Sequence, residues 1–504
     1  VNTTGPDLRL VPAALTSWAV TASGIVWSPA ATVAVLIVAT ALAAVAMRTT
    51  REPASATPVW PAAAAVTVVG VLFALSVALR VHDAEHHPLS GRFGDTETVT
   101  VSPTESPRVV AGGRVMFRAR LLAMGEQRQD GRVLVFASVV GYGDLTAGRP
   151  AAFRARVGRP IRRDLTVAVL SAAGEPRLGQ ASPMHRVAAD VRGDFGAAAR
   201  VALPADQAAM LPALVLGDTA ALQPRTVEDF RVAGLTHLTA VSGANVTIVC
   251  GAVLLSAALL GPRVAVGLAA VALIAFVIVV QPSASVLRAA SMAAITLLAV
   301  VARRRRQAIP ALSATVIVVM IGWPEMAVDV GFALSVSATA ALVVIAPLWS
   351  ARLVERRWPK PLADAVCVAV AAHLVTAPLV AGISGSLSVV SVAANLAVAV
   401  VIPPITVLGT AAAALVSSAP DLAGFVIRFT GPALWWLLRV AHTAAATPGA
   451  AVPVPSGAAG VLLVAAAGLA AVVLWRWRTG RIVLAVCATC LIVWASAGRE
   501  TILQ

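Results

Sequence analysis

The chain has 504 residues, 59% of them hydrophobic and 12% charged, with a mean hydropathy of +0.86; soluble proteins usually carry about 25% charged residues. That balance excludes an ordinary water-soluble enzyme, because nearly uncharged stretches at 30–46, 264–280 and 461–475 approach or reach the roughly 20 apolar residues that cross a bilayer. The net charge of +15 does not by itself name an anionic ligand, since arginine in the short loops of a membrane protein mainly sets orientation.

In chain order, three predicted spans near 10–27, 30–47 and 59–79 come first, the first read as an anchor and not a cleaved signal. At about Arg80 the composition changes abruptly and stays soluble-like to about residue 200. Hydrophobic segments then return near 235–259, 264–280, 286–302, 308–323, 328–348, 362–381, 386–417, 422–446, 457–475 and 481–497. Pro403-Pro404 in one of these, and Arg428, Arg439 and His442 in the next, mark two segments expected to be broken, re-entrant or interfacial. The loops with Arg48/Arg51, Arg263, Arg303–Arg306, Arg352/Arg356/Arg357/Lys360 and Arg476/Arg478/Arg481 belong inside by the positive-inside rule. Threading the spans through the first four groups puts the N-terminus inside and residues 81–200 outside. The last group agrees only if 386–417 and 422–446 together make an even number of crossings.

Within the insert the period drops to two, the signature of half-buried strands. Val115, Phe117, Ala119 and Leu121 alternate with Arg114, Met116, Arg118 and Arg120, and Phe153, Ala155 and Val157 alternate with Arg154 and Arg156. Further strands are predicted at 97–101, 133–140 and 165–170. Five short strands suit a small barrel of the OB type. Twelve arginines against five acidic residues between 101 and 170 give it a basic outer face, with Arg118, Arg120, Arg154 and Arg156 the candidate contacts to single-stranded DNA. The same face also suits plain solvation of an arginine-rich chain.

The segment 213–251, ALVLGDTAALQPRTVEDFRVAGLTHLTAVSGANVTIVCG, is the most informative. Its Leu216-Gly217-Asp218, its Phe230-Arg231-x-x-Gly234-Leu235-x-His237-Leu238 and its Ala240-Val241-Ser242-Gly243 entering a span resemble the core signature of the ComEC competence family, inner-membrane channels for DNA uptake. SASVLRAASMA at 283–293, AVDVGFALSVSAT at 327–339 and HLVTAPLVAGISGSLSVVSVAANLAV at 373–398 are similar to later blocks of that family. The resemblance implies a polytopic α-helical membrane protein with a small extracytoplasmic β domain, importing single-stranded DNA during natural transformation. It also implies an extracytoplasmic DNA receptor and a cytosolic translocase as partners, with homo-oligomerisation open. Asn245 stands where many members have His, so no imidazole role carries over. The metallo-β-lactamase-like domain of many members needs an H-x-H-x-D-H run, and the seven histidines, at 82, 86, 87, 185, 237, 373 and 442, form none.

The expected domains are therefore 1–80 (three spans), 81–200 (OB-like), 201–234 (amphipathic approach), 235–418 (channel core) and 419–504 (further spans). If 236–247 is helical, Thr236, Thr239, Ser242 and Gly243 form one polar and small stripe with Asn245 beside it. That stripe, with His237, Arg288, His373 and Asn395, is the expected translocation path, and Asp218 and Arg231 are expected to pair at its entrance. Arg288 and Asp329 are costly in hydrocarbon and marked as lining or paired groups. His373 and Thr376 are a possible polar pair. The cluster His82-Asp83-x-Glu85-His86-His87 has metal-type ligands but no second half-site, and reads as ordinary polar sequence at a span end. Cys487 and Cys490 spell C-x-x-C inside a hydrophobic segment, read as packing. No cofactor, metal site or catalytic constellation is expected, and with no Walker motif the energy for import must come from elsewhere. A secondary transporter or flippase for a smaller anionic envelope substrate is the alternative from another class, and an orphan envelope protein without transformation activity is a third.

Overall fold

The structure, a computed structural model, describes residues 7–27, 29–49, 60–110, 112–143, 145–239, 243–281, 284–301 and 308–474. Ser242, Arg51, the Arg303–Arg306 run, Arg476, Arg478, Arg481, the predicted span 481–497 and the pair Cys487/Cys490 lie outside the described residues. The chain divides into two units, Val1–Arg192 with Cys250–Ala333, and Gly193–Val249 with Leu334–Gln504.

In the first unit, the helices Val11–Val26, Pro29–Thr49 and Trp60–Glu85 precede a β domain. Its strands are β1 (Thr96–Pro103), β2 (Arg108–Val110), β3 (Arg114–Met124), β4 (Gln127–Ser138), β5 (Ala151–Gly158) and β6 (Thr166–Leu178). All five predicted strands form, and the short β2 is an addition that three residues of sequence did not announce. The sheet runs β1-β5-β6-β4-β3-β2, and β1 also pairs with β3, so five strands close into a barrel with β2 as an appendage. Every pairing is antiparallel except β4 with β6. Alternation explains the closure: Val115, Phe117, Ala119 and Leu121 of β3 and Phe153, Ala155 and Val157 of β5 are buried together with Val99, Val101, Val133, Val135 and Leu170. The β3–β4 hairpin turns on Gly125 (φ 58) and Glu126, with glycine at the first turn position as a type II′ turn prefers. Tyr142, in the short helix Val139–Tyr142, plugs the core and meets Phe153 edge to face at 5.4 Å.

Arginines from the β domain and from neighbouring helices cap several helix C-termini of this unit. Arg163 donates to Val26 O at 3.2 Å, Arg80 to Ile321 O at 3.1 Å and Arg192 to Val279 O at 3.1 Å. Each side chain satisfies a carbonyl that a helix end leaves without an internal partner, and sits at the negative end of the helix dipole. Gln281 Oε1 accepts from the Ser106 backbone N–H at 3.0 Å. The ends Val26, Val280 and Gly322 therefore face the barrel side, while Arg263 lies at the opposite end of the helix Pro262–Val280. Asp329, marked in the sequence as costly in hydrocarbon, accepts from the Phe332 N–H at 2.8 Å and faces Arg118 at 3.9 Å.

In the second unit the helices Ala205–Leu216 and Pro224–Val232 lead into the turn Thr236–Thr239 and the start of the helix Gly243–Ser256. The helix Lys360–Ser384 packs against Ala458–Leu474, with Gly382 against Val461 and Gly468 against Leu374. Beyond them β7 (Ser386–Ser388) and β8 (Ala451–Pro453) pair antiparallel. Both ends of the segment 386–453 thus lie side by side.

Among the described residues four helices are long and apolar enough to cross a membrane: Ala63–Arg92, Arg263–Val280, Val330–Glu355 and Lys360–Ser384. A fifth span results if the bent pair Ser391–Val398 and Ile402–Leu415 counts as one. This is fewer than the hydropathy blocks suggested. Helices such as Val11–Val26 and Ala308–Gly322, of 16 and 15 residues, reach only about 22–24 Å at 1.5 Å per residue, short of a hydrocarbon core of about 30 Å. The block 422–446 divides into Pro420–Arg428 and Gly431–Ala446.

Candidate functional site: the signature segment and a broken helix pair

The two helices Ser391–Val398 and Ile402–Leu415 meet at 54°. The break has a local cause: Pro403 and Pro404 carry no N–H, so the turn before them cannot be closed by the usual i→i−4 bonds. Val400 at the break is 80% exposed, and Pro403 and Pro404 are exposed too. Upstream, Trp436 Nε1 donates to Ala397 O at 2.8 Å, satisfying one carbonyl near the break.

The signature segment folds around this pair. Gly234 has φ 71, and a Cβ there would lie 2.4 Å from Ser391 Oγ, so glycine is required on both conformational and steric grounds. Asn395 donates to Ser391 O at 2.8 Å and reaches Gly234 O at 3.5 Å. Ser388 Oγ donates to Val232 O at 2.7 Å. Further along, the buried Asn245 donates from Nδ2 to Leu214 O at 2.8 Å, and its Oδ1 accepts from Thr406 Oγ1 at 3.4 Å. Leu214, Leu238, Asn245, Ile402, Ile405 and Thr406 enclose a cavity of about 10 Å³, at the lower limit for a single water. Gly409 lies against Val215 and Leu211, allowing the close approach of the helices Ala205–Leu216 and Ile402–Leu415.

On the polar helix Pro224–Val232, Arg231 donates to both oxygens of Glu228, at 2.8 and 2.7 Å, and to Ser386 Oγ at 2.9 Å. Hydrogen bonding to Arg231 holds the Glu228 carboxyl below its ordinary range. Asp229 accepts from His442 Nδ1 at 3.1 Å. Phe230 faces the other way and is buried. The helix is therefore pinned by its charged face to β7 and to the helix Gly431–Ala446, and by its apolar face to the core.

Several sequence expectations change here. Arg231 takes Glu228, not Asp218, as its carboxylate partner; a partner one helical turn away is reached without ordering a loop. Asp218 instead accepts from the Ala220 N–H at 3.2 Å. Asn245 does not face an open passage but is 5% exposed within the polar contact described above. Of the expected stripe, Thr236, His237 and Thr239 lie in the helical residues Thr236–Thr239, with Thr236 and His237 exposed, and Gly243 lies in the helix Gly243–Ser256, while residues 240–242 are outside the described residues. Thr239 Oγ1 back-bonds to Thr236 O at 2.8 Å. His373 and Thr376 do not pair, since Thr376 Oγ1 bonds Ala372 O at 2.8 Å, the local alternative open to a helical threonine. Arg288 belongs to the first unit, 6% exposed with Nη1 3.2 Å from Met292 Sδ.

The residues that sequence reasoning missed are Thr406, Ser386, Ser388, Ser391 and the role of His442. They lie 155 to 213 positions from their partners, and no local periodicity marks such pairs.

On the barrel, Arg118, Arg120, Arg154 and Arg156 all point outward. Two of the four face carboxylates: Arg120 makes a double contact with Asp130, and Arg118 faces Asp329. Arg154 and Arg156 have no ion-pair partner among the described residues. The histidine cluster does not converge either. His82 and His86 stack at 4.0 Å, whereas His87 turns inward and accepts from the Leu89 N–H, and no metal-binding group of three such side chains occurs among the described residues.

A family model described as Competence protein matches residues 214–479, more than half of the chain. The chain belongs to the competence protein family. The matched region begins at Leu214, whose carbonyl receives Asn245, and contains the whole broken pair with its signature partner. Membership supports a role in DNA uptake, and with the apolar helices it makes this a membrane protein. No curated protein and no solved structure gives a match.

Proposed function

We propose that this competence family member forms the inner-membrane passage for single-stranded DNA during transformation. One observation carries the reading: the family's signature segment folds around a helix pair broken at Ala399–Pro404, with the break exposed. Irregular backbone at membrane depth is tolerated where it is buried in protein or lines a water-filled cavity. The passage runs past this break, with Thr236, His237, Thr239, Ser242, Gly243, Asn395 and His373 as its candidate lining. Asn245 acts as the brace behind it. Asp218 and Arg231 flank the entrance without pairing. Arg288, in the first unit, is a separate candidate on the strength of its charge in a membrane-type helix alone.

The β domain is read as OB-like and extracytoplasmic. Its closed five-stranded barrel, with one parallel pairing, supports the OB-like part, and the arginine-bearing loops of the flanking helices support the extracytoplasmic part. It gathers DNA phosphates chiefly through Arg154 and Arg156. A receptor outside and a translocase inside complete the system, and the lipid bilayer is the remaining partner.

The test is deletion of the gene followed by measurement of labelled DNA. Surface-bound label should stay normal while label in the cytosol and transformants are lost, and a copy of the gene should restore both. Undiminished uptake would move the protein to the transporter or flippase reading.

A further inference from the structure

The β5–β6 loop carries Arg159-Pro160-Ile161-Arg162-Arg163, and its composition is odd for a loop on a soluble domain. Ile161 is 72% exposed, with arginines on both sides. Each arginine has a different environment. Arg159 lies over the Phe93 ring, 5.9 Å from its centroid. Arg163 reaches Val26 O at 3.2 Å. Arg162 is exposed.

The Arg163 bond fixes the loop's height above the membrane helices. Gly70 sits against Thr16 and Gly24 against Val77, so the helices Val11–Val26 and Trp60–Glu85 run parallel in a register that brings Val26 level with Leu79 and Arg80. That is where the apolar run 59–79 ends and the polar sequence begins. The next residue after Val26, Trp27, is 60% exposed at the same level. Tryptophan at the end of an apolar helix, a projecting isoleucine and an exposed arginine together match the composition of a membrane interface, where aromatic and apolar groups enter the headgroup layer and arginines meet lipid phosphates.

We infer that the β5–β6 loop of the barrel docks on the headgroup layer of the bilayer that this chain itself crosses, with Ile161 and Trp27 inserted and Arg162 on anionic lipid phosphate. The barrel is then seated on the membrane instead of swinging from its linkers, and the loop is withdrawn from the surface that Arg154 and Arg156 offer to other ligands. The inference needs the chain to span a membrane and is independent of what the chain transports.

The test uses the full chain in lipid nanodiscs, with native cysteines replaced by alanine and Ile161→Cys carrying an environment-sensitive fluorophore. Because Ile161 is exposed, this substitution leaves the barrel core intact. A quencher on the upper acyl chain should extinguish the probe and aqueous iodide should not, as expected for a side chain roughly 5–10 Å into the interface. Raising the phosphatidylglycerol content should increase lipid-side quenching, and Arg162→Gln should weaken that dependence about fivefold, the worth of one arginine near an anionic surface. A probe quenched by iodide and untouched by the lipid quencher overturns the proposal. So does a probe shielded from iodide only after single-stranded DNA is added, which would assign the loop to nucleic acid.

Discussion

Asn245 Nδ2 and the carbonyl of Leu214 lie 2.8 Å apart, joining the start of one helix to the end of another across 31 residues, and Thr406 completes the contact from a third. Asn245→Ala leaves a buried carbonyl and a buried hydroxyl short of a partner. It should lower stability by about 1–3 kcal/mol, measurable as a reduced Tm in detergent. An unchanged Tm would mean that the contact is replaced by water.

Solvent access should differ along the signature. With native cysteines removed, Cys at Thr236 should react readily with a small water-soluble thiol reagent, and Cys at Asn245 should stay nearly inert in the resting protein. Equal rates at both positions would show that the polar contact at Asn245 opens to solvent.

Gly234→Ala should be among the most damaging changes in the second unit, since it combines a left-handed φ with a clash on Ser391. Ser391→Gly in the same chain should restore part of the folded yield by removing the clash while leaving the backbone strain. Full activity of Gly234→Ala alone would refute the close packing of these segments.

Asp130 is held below its ordinary range, first by its hydrogen bond from Arg120. The sign follows: a carboxyl with a depressed folded pKa contributes stability above its unfolded pKa, about 3.9, and that contribution is lost as the pH falls through the folded value. Both side chains are more than half exposed, so the pair is worth roughly 0.2–1 kcal/mol. Arg120→Ala should therefore cost slightly at pH 6 and progressively less as the pH is lowered through the acid range, compared as the difference in Tm between mutant and parent at each pH.

For DNA binding, Arg154→Ala with Arg156→Ala should weaken single-strand affinity more than Arg118→Ala with Arg120→Ala, because the latter two already face carboxylates. Losing two phosphate contacts should flatten the log-affinity against log-salt slope by about 1.4. Equal effects from both pairs would favour a diffuse basic surface.

The sequence by itself determined the class of the protein, the strands and the family. Apolar runs with few charges have only the bilayer as solvent, strict alternation at 114–121 and 153–157 admits one inward face, and the signature at 213–251 is read residue by residue. It also marked Pro403-Pro404 as a break, because a missing N–H is a local property. Only the tertiary structure decided which helices reach spanning length, that Arg231 serves Glu228 and Ser386, that Arg118 and Arg120 meet acids, and that Asn245 braces Leu214 and Thr406. Each of those depends on groups brought together from distant parts of the chain or on the choice between competing partners. A charge or an amide in a sequence carries its appetite for a partner but not the partner's address, which packing of the apolar faces supplies.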